Sequence, residues 1–194
     1  MKRDYTSIAS EDLMLLVADG DKIAFSCLVN RHQETVFRLI YRYFGKQEEA
    51  NDLAQEVFVR IWRSSEKYTP TSKFTTWLYT LTANICKSET KSLWRRNIWL
   101  IGSFWTSGDH DAPEVPALTP SPEDVAIQTE QRRLVRAAIA ALPTNQRLAV
   151  VLQRYEELSY QEIAIVIGCS VAAVEALLVR AKANLQKKLL SHEK

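Results

Sequence analysis

The sequence predicts an all-α protein: two small helical domains joined by a flexible linker. Three observations support this. Apolar residues recur at helical spacing along most of the chain, with no alternating strand pattern. Glycine is scarce, with five in 194 residues, so long uninterrupted helices are favoured. Four of the six prolines fall in one stretch, Ser107 to Pro122, which also reads as extended and poor in core-forming residues. The expected division is 1–96 for the first domain, 97–122 for the linker and 123–194 for the second domain.

Taken in order, the first helix starts near Ser10, a good N-cap residue, and stops at Gly20. The second spans Asp21 to Phe44, with Phe25, Leu28, Val29, His32, Val36, Leu39 and Ile40 on one face and Gly45 as its stop. The third runs from Glu48 to Glu66. A loop marked by Pro70 follows, and a fourth helix extends from Phe74 to Arg96. Beyond the linker, a helix ends at Pro143 and another spans Thr144 to Tyr155. Last comes "YQEIAIVIGCSVAAVEALLVRAKANL", Tyr160 to Leu185. There Ser159 and Glu162 form a capping box, Gly168 can adopt the left-handed backbone that stops a helix, and Ser170 caps a new one. Two short helices at a tight turn follow the helix-turn-helix plan, although an ordinary helical hairpin has the same pattern.

Composition excludes several classes. The net charge of +2 does not predict a basic protein overall, so any nucleic-acid surface must be local. By domain the balance is 15 basic to 12 acidic over 1–96, none to three over the linker, and 10 to 8 over 123–194. Cys27, Cys86 and Cys169 show no metal-ligand or redox spacing, and a reducing cytoplasmic compartment fits them. Oxidation or metal binding at Cys169, within the turn, stays open as a minor regulatory alternative. No signal-peptide core or membrane-spanning apolar run is present. There is no HExxH, Gly-rich phosphate loop or GxSxG, and His32, His110 and His192 lack partners nearby in sequence. Neither an enzyme, a cofactor, a metal nor a small-molecule substrate is expected.

Three residue sets stand out. On the third helix Asp52 and Glu56, four apart with Gln55 beside them, face away from the apolar stripe; they suit a basic partner surface or simply a solvated face. On the fourth, Thr76, Thr80, Asn84, Lys87, Lys91 and Arg95 form a polar stripe growing more basic toward Arg96. Tyr68, Lys73 and Phe74 lie just before or at its start. Aromatic rings beside lysines suit unstacked single-stranded bases, although Phe74 and Trp77 are equally readable as core. In the helix-turn-helix, Ser170, Ala172, Ala173, Glu175, Ala176, Val179, Arg180 and Lys182 occupy the outward, early part of the second helix. That helix would enter a major groove, where Glu175 can accept from cytosine N4 and Arg180 or Lys182 can reach phosphate or guanine.

"DLAQEVFVRIWR", "FTTWLYTLTANICKSETKSLWRR" and "ALPTNQRLAVVLQRYEELSYQEIAIVIGCSVAAVEALLVRAKANLQKKL" resemble regions 2 and 4 of bacterial sigma factors, in that order. The chain is thereby similar to the extracytoplasmic-function (ECF) group, the two-domain minimal class. The resemblance implies that Asp52, Gln55 and Glu56 grip the clamp helices of the largest subunit of core RNA polymerase, and that the second domain meets the flap. It implies that Tyr68, Lys73, Phe74, Asn84, Lys87, Lys91, Arg95 and Arg96 capture the melted minus-10 strand. It also implies that the helix after Ser170 reads the minus-35 duplex of promoter DNA. The linker would thread near the RNA exit path. An anti-sigma factor, often membrane-anchored, is implied as a further partner, which would hold a cytoplasmic protein at the inner membrane face. Two features depart from the family pattern: Glu175 and Ala176 stand where many relatives have a basic residue, and "NIWLIGSFW", Asn97 to Trp105, opens the linker with apolar residues. That segment suits packing on the first domain, a protein partner or a membrane surface. The chief rival is a helix-turn-helix repressor or activator with a sensing domain, which would bind duplex DNA tightly by itself.

Overall fold

The computed structural model describes residues 4–101, 131 and 133–190; for Trp94 and residues 96–101 the backbone alone is described. The described residues fold into helices α1 (Ser10–Ala18), α2 (Lys22–Phe44), α3 (Gln47–Ser64), α4 (Phe74–Ile101), α5 (Thr144–Tyr155), α6 (Tyr160–Ile167) and α7 (Val171–Leu190). A 3-10 turn, Ser65–Lys67, follows α3, and residues 133–140 are also helical. No strand occurs among the described residues.

Local chemistry sets most of the boundaries. Asp21 is the N-cap of α2, its Oδ1 accepting from the N–H groups of Ile23 (2.9 Å) and Ala24 (3.0 Å). Gly45 ends α2 in the left-handed region. The start of α1 differs from expectation. Ser10 is its first helical residue and does not cap it; its hydroxyl lies 2.9 Å from His32 Nε2 on α2. A long-range partner for the hydroxyl has displaced the local cap. Helix α3 stops at Ser64, short of Glu66, because the chain tightens into the 3-10 turn. Helix α4 continues past Arg96 to Ile101, into the apolar opening of the expected linker. The rest of that segment and the linker, 102–122, lie outside the described residues.

Each amphipathic helix buries the face its periodicity predicts. Leu13, Met14 and Val17 of α1 share one core with Leu28, Val36, Leu39 and Ile40 of α2, Val57 and Ile61 of α3, and Leu78 and Ile85 of α4. In the second domain Leu148, Val151, Leu152, Ile163, Val166 and Val174 continue the same buried cluster. His32, which the periodicity places on the apolar face of α2, is 8% exposed, and its Nε2 pairs with the Ser10 hydroxyl.

The two domains pack against each other, α2 against α5 and α4 against α6. Glu156, its side chain only 5% exposed, accepts from Arg42 Nη1 at 2.8 Å and from the Tyr79 hydroxyl at 3.0 Å. The Arg42 guanidinium also stacks over Tyr155, 4.5 Å from its ring centroid. Arg147 sits 4.6 Å over the Tyr43 ring, and Arg136 donates to the Tyr41 hydroxyl at 2.7 Å. Among the described residues no single helix is long and apolar enough to cross a membrane.

Candidate nucleic-acid and polymerase interface

The helix-turn-helix is assembled by short-range chemistry. Ser159 Oγ accepts from the Glu162 N–H (3.3 Å) and Glu162 Oε2 accepts from the Ser159 N–H (2.9 Å), a complete capping box at the start of α6. That N–H bond holds the Glu162 carboxyl below its usual pKa. At the other end Gly168 has φ +79° and ψ +48°, and Ala164 O accepts from both Gly168 N–H (2.9 Å) and Cys169 N–H (3.0 Å). Ser170 Oγ then accepts from the Ala173 N–H at 3.2 Å, starting α7. The two helices meet at 95°, within the range of DNA-binding helix pairs.

Burial of one face of α7 defines the other. Val174 and Ala181 are buried, and Leu177, Leu178 and Leu185 are half-buried against the core. Ser170, Ala172, Glu175, Val179, Arg180 and Lys182 are exposed, while Ala173 and Ala176 are partly so. Val179, 69% exposed, leaves an apolar patch on this face. Arg180 Nε donates to Ala176 O at 3.1 Å, so its guanidinium is partly tied to its own helix.

In the first domain the loop before α4 departs from expectation. Residues 69–73, Lys73 included, are exposed, but the aromatic rings at either end are not. Phe74 is 1% and Tyr68 9% exposed, and the two pack edge-on with centroids 6.3 Å apart, beside Trp77. Burying large rings outweighs presenting them to solvent, so these residues anchor the loop ends rather than offer stacking platforms. Burial, and secondarily the nearby Glu11 charge, raises the Tyr68 hydroxyl pKa.

The stripe on α4 is only partly open. Asn84, Lys91 and Arg95 are exposed; the Arg96 side chain lies outside the described residues. Thr76 is buried rather than on the stripe, because it lies in the first turn, where α4 packs on the core. Lys87 is half-buried and its Nζ donates to Ile167 O at the end of α6, 2.8 Å away; this desolvation lowers its pKa.

On α3, Asp52, Gln55 and Glu56 are exposed, as the periodicity requires. Arg60, outside the residues that the sequence pattern singles out, has its Nη2 2.7 Å from Glu56 Oε1 and offsets the Asp52–Glu56 repulsion. Its spacing four residues after Glu56 was the available signal. Beside these residues a groove of about 1050 Å³ opens between α2 and α3, lined by Phe25, Phe37, Phe58 and Trp62 among others.

A helix-turn-helix beside a second helical domain with a basic strip is an arrangement suited to DNA binding. The comparisons with known proteins narrow this. Residues 28–96 match the family model for Sigma-70 region 2, and residues 132–185 match the model for Sigma-70, region 4. The RNA polymerase sigma-H factor of Pseudomonas aeruginosa is 32% identical over 188 residues, covering 95% of each chain. The ECF RNA polymerase sigma-E factor of Escherichia coli is 30% identical over 190 residues, covering 94% of this chain and 95% of its own. Among solved structures, CnrH in complex with the cytosolic domain of CnrY superposes with a TM-score of 0.64 at 26% identity, over 96% of this chain and all of that one. The chain belongs to the sigma-70 family, as an ECF sigma factor. As such it binds core RNA polymerase and directs it to promoters.

Proposed function

We propose the following residue-level division of that task. Exposed Asp52, Gln55 and Glu56 on α3 bind the polymerase clamp helices, and the α2–α3 groove beside them gives the contact an apolar component. The exposed loop 69–73 with Asn84, Lys91, Arg95 and Arg96 holds the phosphates and bases of the melted minus-10 strand. Lys87 joins them when its bond to Ile167 O is released. Tyr68 and Phe74 support this surface from beneath. Helix α7, entering the minus-35 major groove, reads it with Glu175, Ala172, Ala176 and Val179, while Ser170, Ala173, Arg180 and Lys182 fix its register.

The observation that carries this reading is the pairing of two exposed surfaces. One is a polar and basic strip on α4, open at Asn84, Lys91 and Arg95, on the helix that follows an exposed loop. The other is a 95° helix-turn-helix whose outward face holds an acid and small apolar side chains. The first suits single strands. The second suits a major groove, with Glu175 accepting from cytosine N4 and the alanines and Val179 touching thymine methyls. The modest charge of the second domain fits a minus-35 contact that depends on polymerase for its strength. The protein works in the cytoplasm, where polymerase is. A membrane-anchored anti-sigma factor is the inhibitor we infer for it; the similar CnrH forms a complex with the cytosolic domain of a second protein, CnrY.

The test is in vitro transcription by core polymerase on a pool of promoter fragments, with and without this protein. Initiation should depend on the protein, and the enriched fragments define both elements. Glu175→Ala should relax the preference at one minus-35 position by about tenfold, one good base contact. An unchanged preference would remove Glu175 from base reading. Tight duplex binding by the protein alone, without initiation, would instead favour a repressor.

A further inference from the structure

The matched region 2 begins at residue 28, and the division of labour above makes no use of α1. Yet one polar contact of α1 reaches the end of the loop before α4. The first N–H groups of a helix need acceptors from outside it. A side chain at the preceding position normally serves the second or third of these, but here that residue is Lys73, whose ammonium has donors only. An acceptor for the first comes from 63 residues away: Glu11 Oε1 takes the Phe74 N–H at 2.6 Å. The negative charge at the N-terminus of α4 also complements the helix dipole.

The start of α1 is itself held in place. The hydroxyl of Ser10, the residue before Glu11, meets His32 Nε2 (2.9 Å) and accepts from Arg31 Nη1 (3.1 Å). Arg31 further donates to Ile8 O (2.8 Å) and Thr6 O (3.0 Å), tying the segment before α1 to α2. The His32 ring packs on the Phe74 ring, with centroids 5.0 Å apart. At the other end of the loop, Tyr68 N–H donates to Ser65 O at 3.0 Å. Both ends of the exposed segment 69–73 are therefore fixed, the first by the 3-10 turn and the second by α1.

We infer that Glu11 is a positioning residue for promoter opening: by capping α4 across the domain, it sets the shape of the loop that meets the melted minus-10 strand. This rests on the minus-10 reading above. Losing the cap leaves α3 and the polymerase-facing residues in place but lets the first turn of α4 fray into the loop.

The test uses holoenzyme assembled from core polymerase and the full chain. The probe is the single-stranded non-template minus-10 segment of an initiating fragment from the pool. Glu11→Ala should weaken probe binding about fivefold, the value of one cap. Glu11→Gln, which keeps an acceptor oxygen, should restore most of it, and the affinity of all variants for core polymerase should be equal. Wild-type probe binding by Glu11→Ala, with binding lost in Asn84→Ala and Lys91→Ala, would overturn this inference alone. Unchanged binding in all of them would overturn the minus-10 reading and this inference with it. A loss of core-polymerase affinity that glutamine fails to rescue would make Glu11 a general support of the fold and refute the positioning role.

Discussion

Replacing Gly168 with alanine isolates the backbone requirement of the helix-turn-helix turn. Gly168 lies at φ +79°, where an L-residue brings its Cβ close to the following carbonyl, at about 1–2 kcal/mol. A Cβ built at Gly168 has no heavy atom within 4 Å outside its chain neighbours, so no tertiary clash adds to this. The expected cost of Gly168→Ala is therefore about 1 kcal/mol, all of it conformational. For a domain of this size that lowers the melting temperature by roughly 4–8 °C. Gly168→Asn should cost about half as much or less, since asparagine tolerates the left-handed region. Thermal unfolding followed by circular dichroism reads both. Two results would refute the reasoning: alanine without cost, which would mean the turn does not need the left-handed backbone, or equal losses above about 3 kcal/mol, which would mean a steric conflict.

Two further outcomes follow from buried polar groups. Burial, and then the neighbouring Arg31 charge, lower the His32 pKa below its usual 6.5, partly opposed by Glu11. Because the unfolded chain then binds the proton more readily, stability is full above about pH 6.5 and declines as the pH falls toward the folded-state pKa. Glu11, lowered from 4.5, contributes its own loss only below that value, so urea midpoints at pH 7 and pH 5 isolate the histidine. His32→Gln should flatten the difference; an undiminished slope would point to another group. Between the domains, Arg42→Ala leaves the buried Glu156 with the Tyr79 hydroxyl as its remaining described side-chain donor. Losing a charged hydrogen bond of about 2 kcal/mol shifts the packed-to-separated ratio about thirtyfold. Small-angle scattering should then show a larger radius of gyration, and an unchanged radius would show that the pair does not hold the domains together.

The second domain was the more legible in sequence because its determinants are local. Ser159 and Glu162, Gly168, and Ser170 each act within a few residues, so reading the chain in order finds caps, stop and restart. The exposed face of α7 then follows from helical period alone. The acidic set on α3 was equally legible, and Arg60 would have been found by extending the same spacing one turn.

The loop and strip of the first domain were legible only in part. The polar periodicity of α4 correctly places Asn84, Lys91 and Arg95 outside. It cannot tell that Thr76 packs inward, or that Tyr68 and Phe74 face the core. A ring near a loop reads the same whether it ends beneath the loop or above it. Which of the two occurs depends on α1 and α2 arriving from tens of residues away.

What the sequence determines by itself is therefore what short-range physics decides: helix type and extent, the caps, the left-handed turn, the apolar faces and the placing of charge. The tertiary structure decides which polar groups meet across the chain. Ser10 gives up its capping role for His32, and Glu11 caps a helix that Lys73 cannot. Lys87 binds the end of α6, and Glu156 is buried between Arg42 and Tyr79. The reason is that a hydrogen bond between distant residues leaves no periodic trace. Its partners are chosen only once apolar burial has fixed how the helices lie against one another.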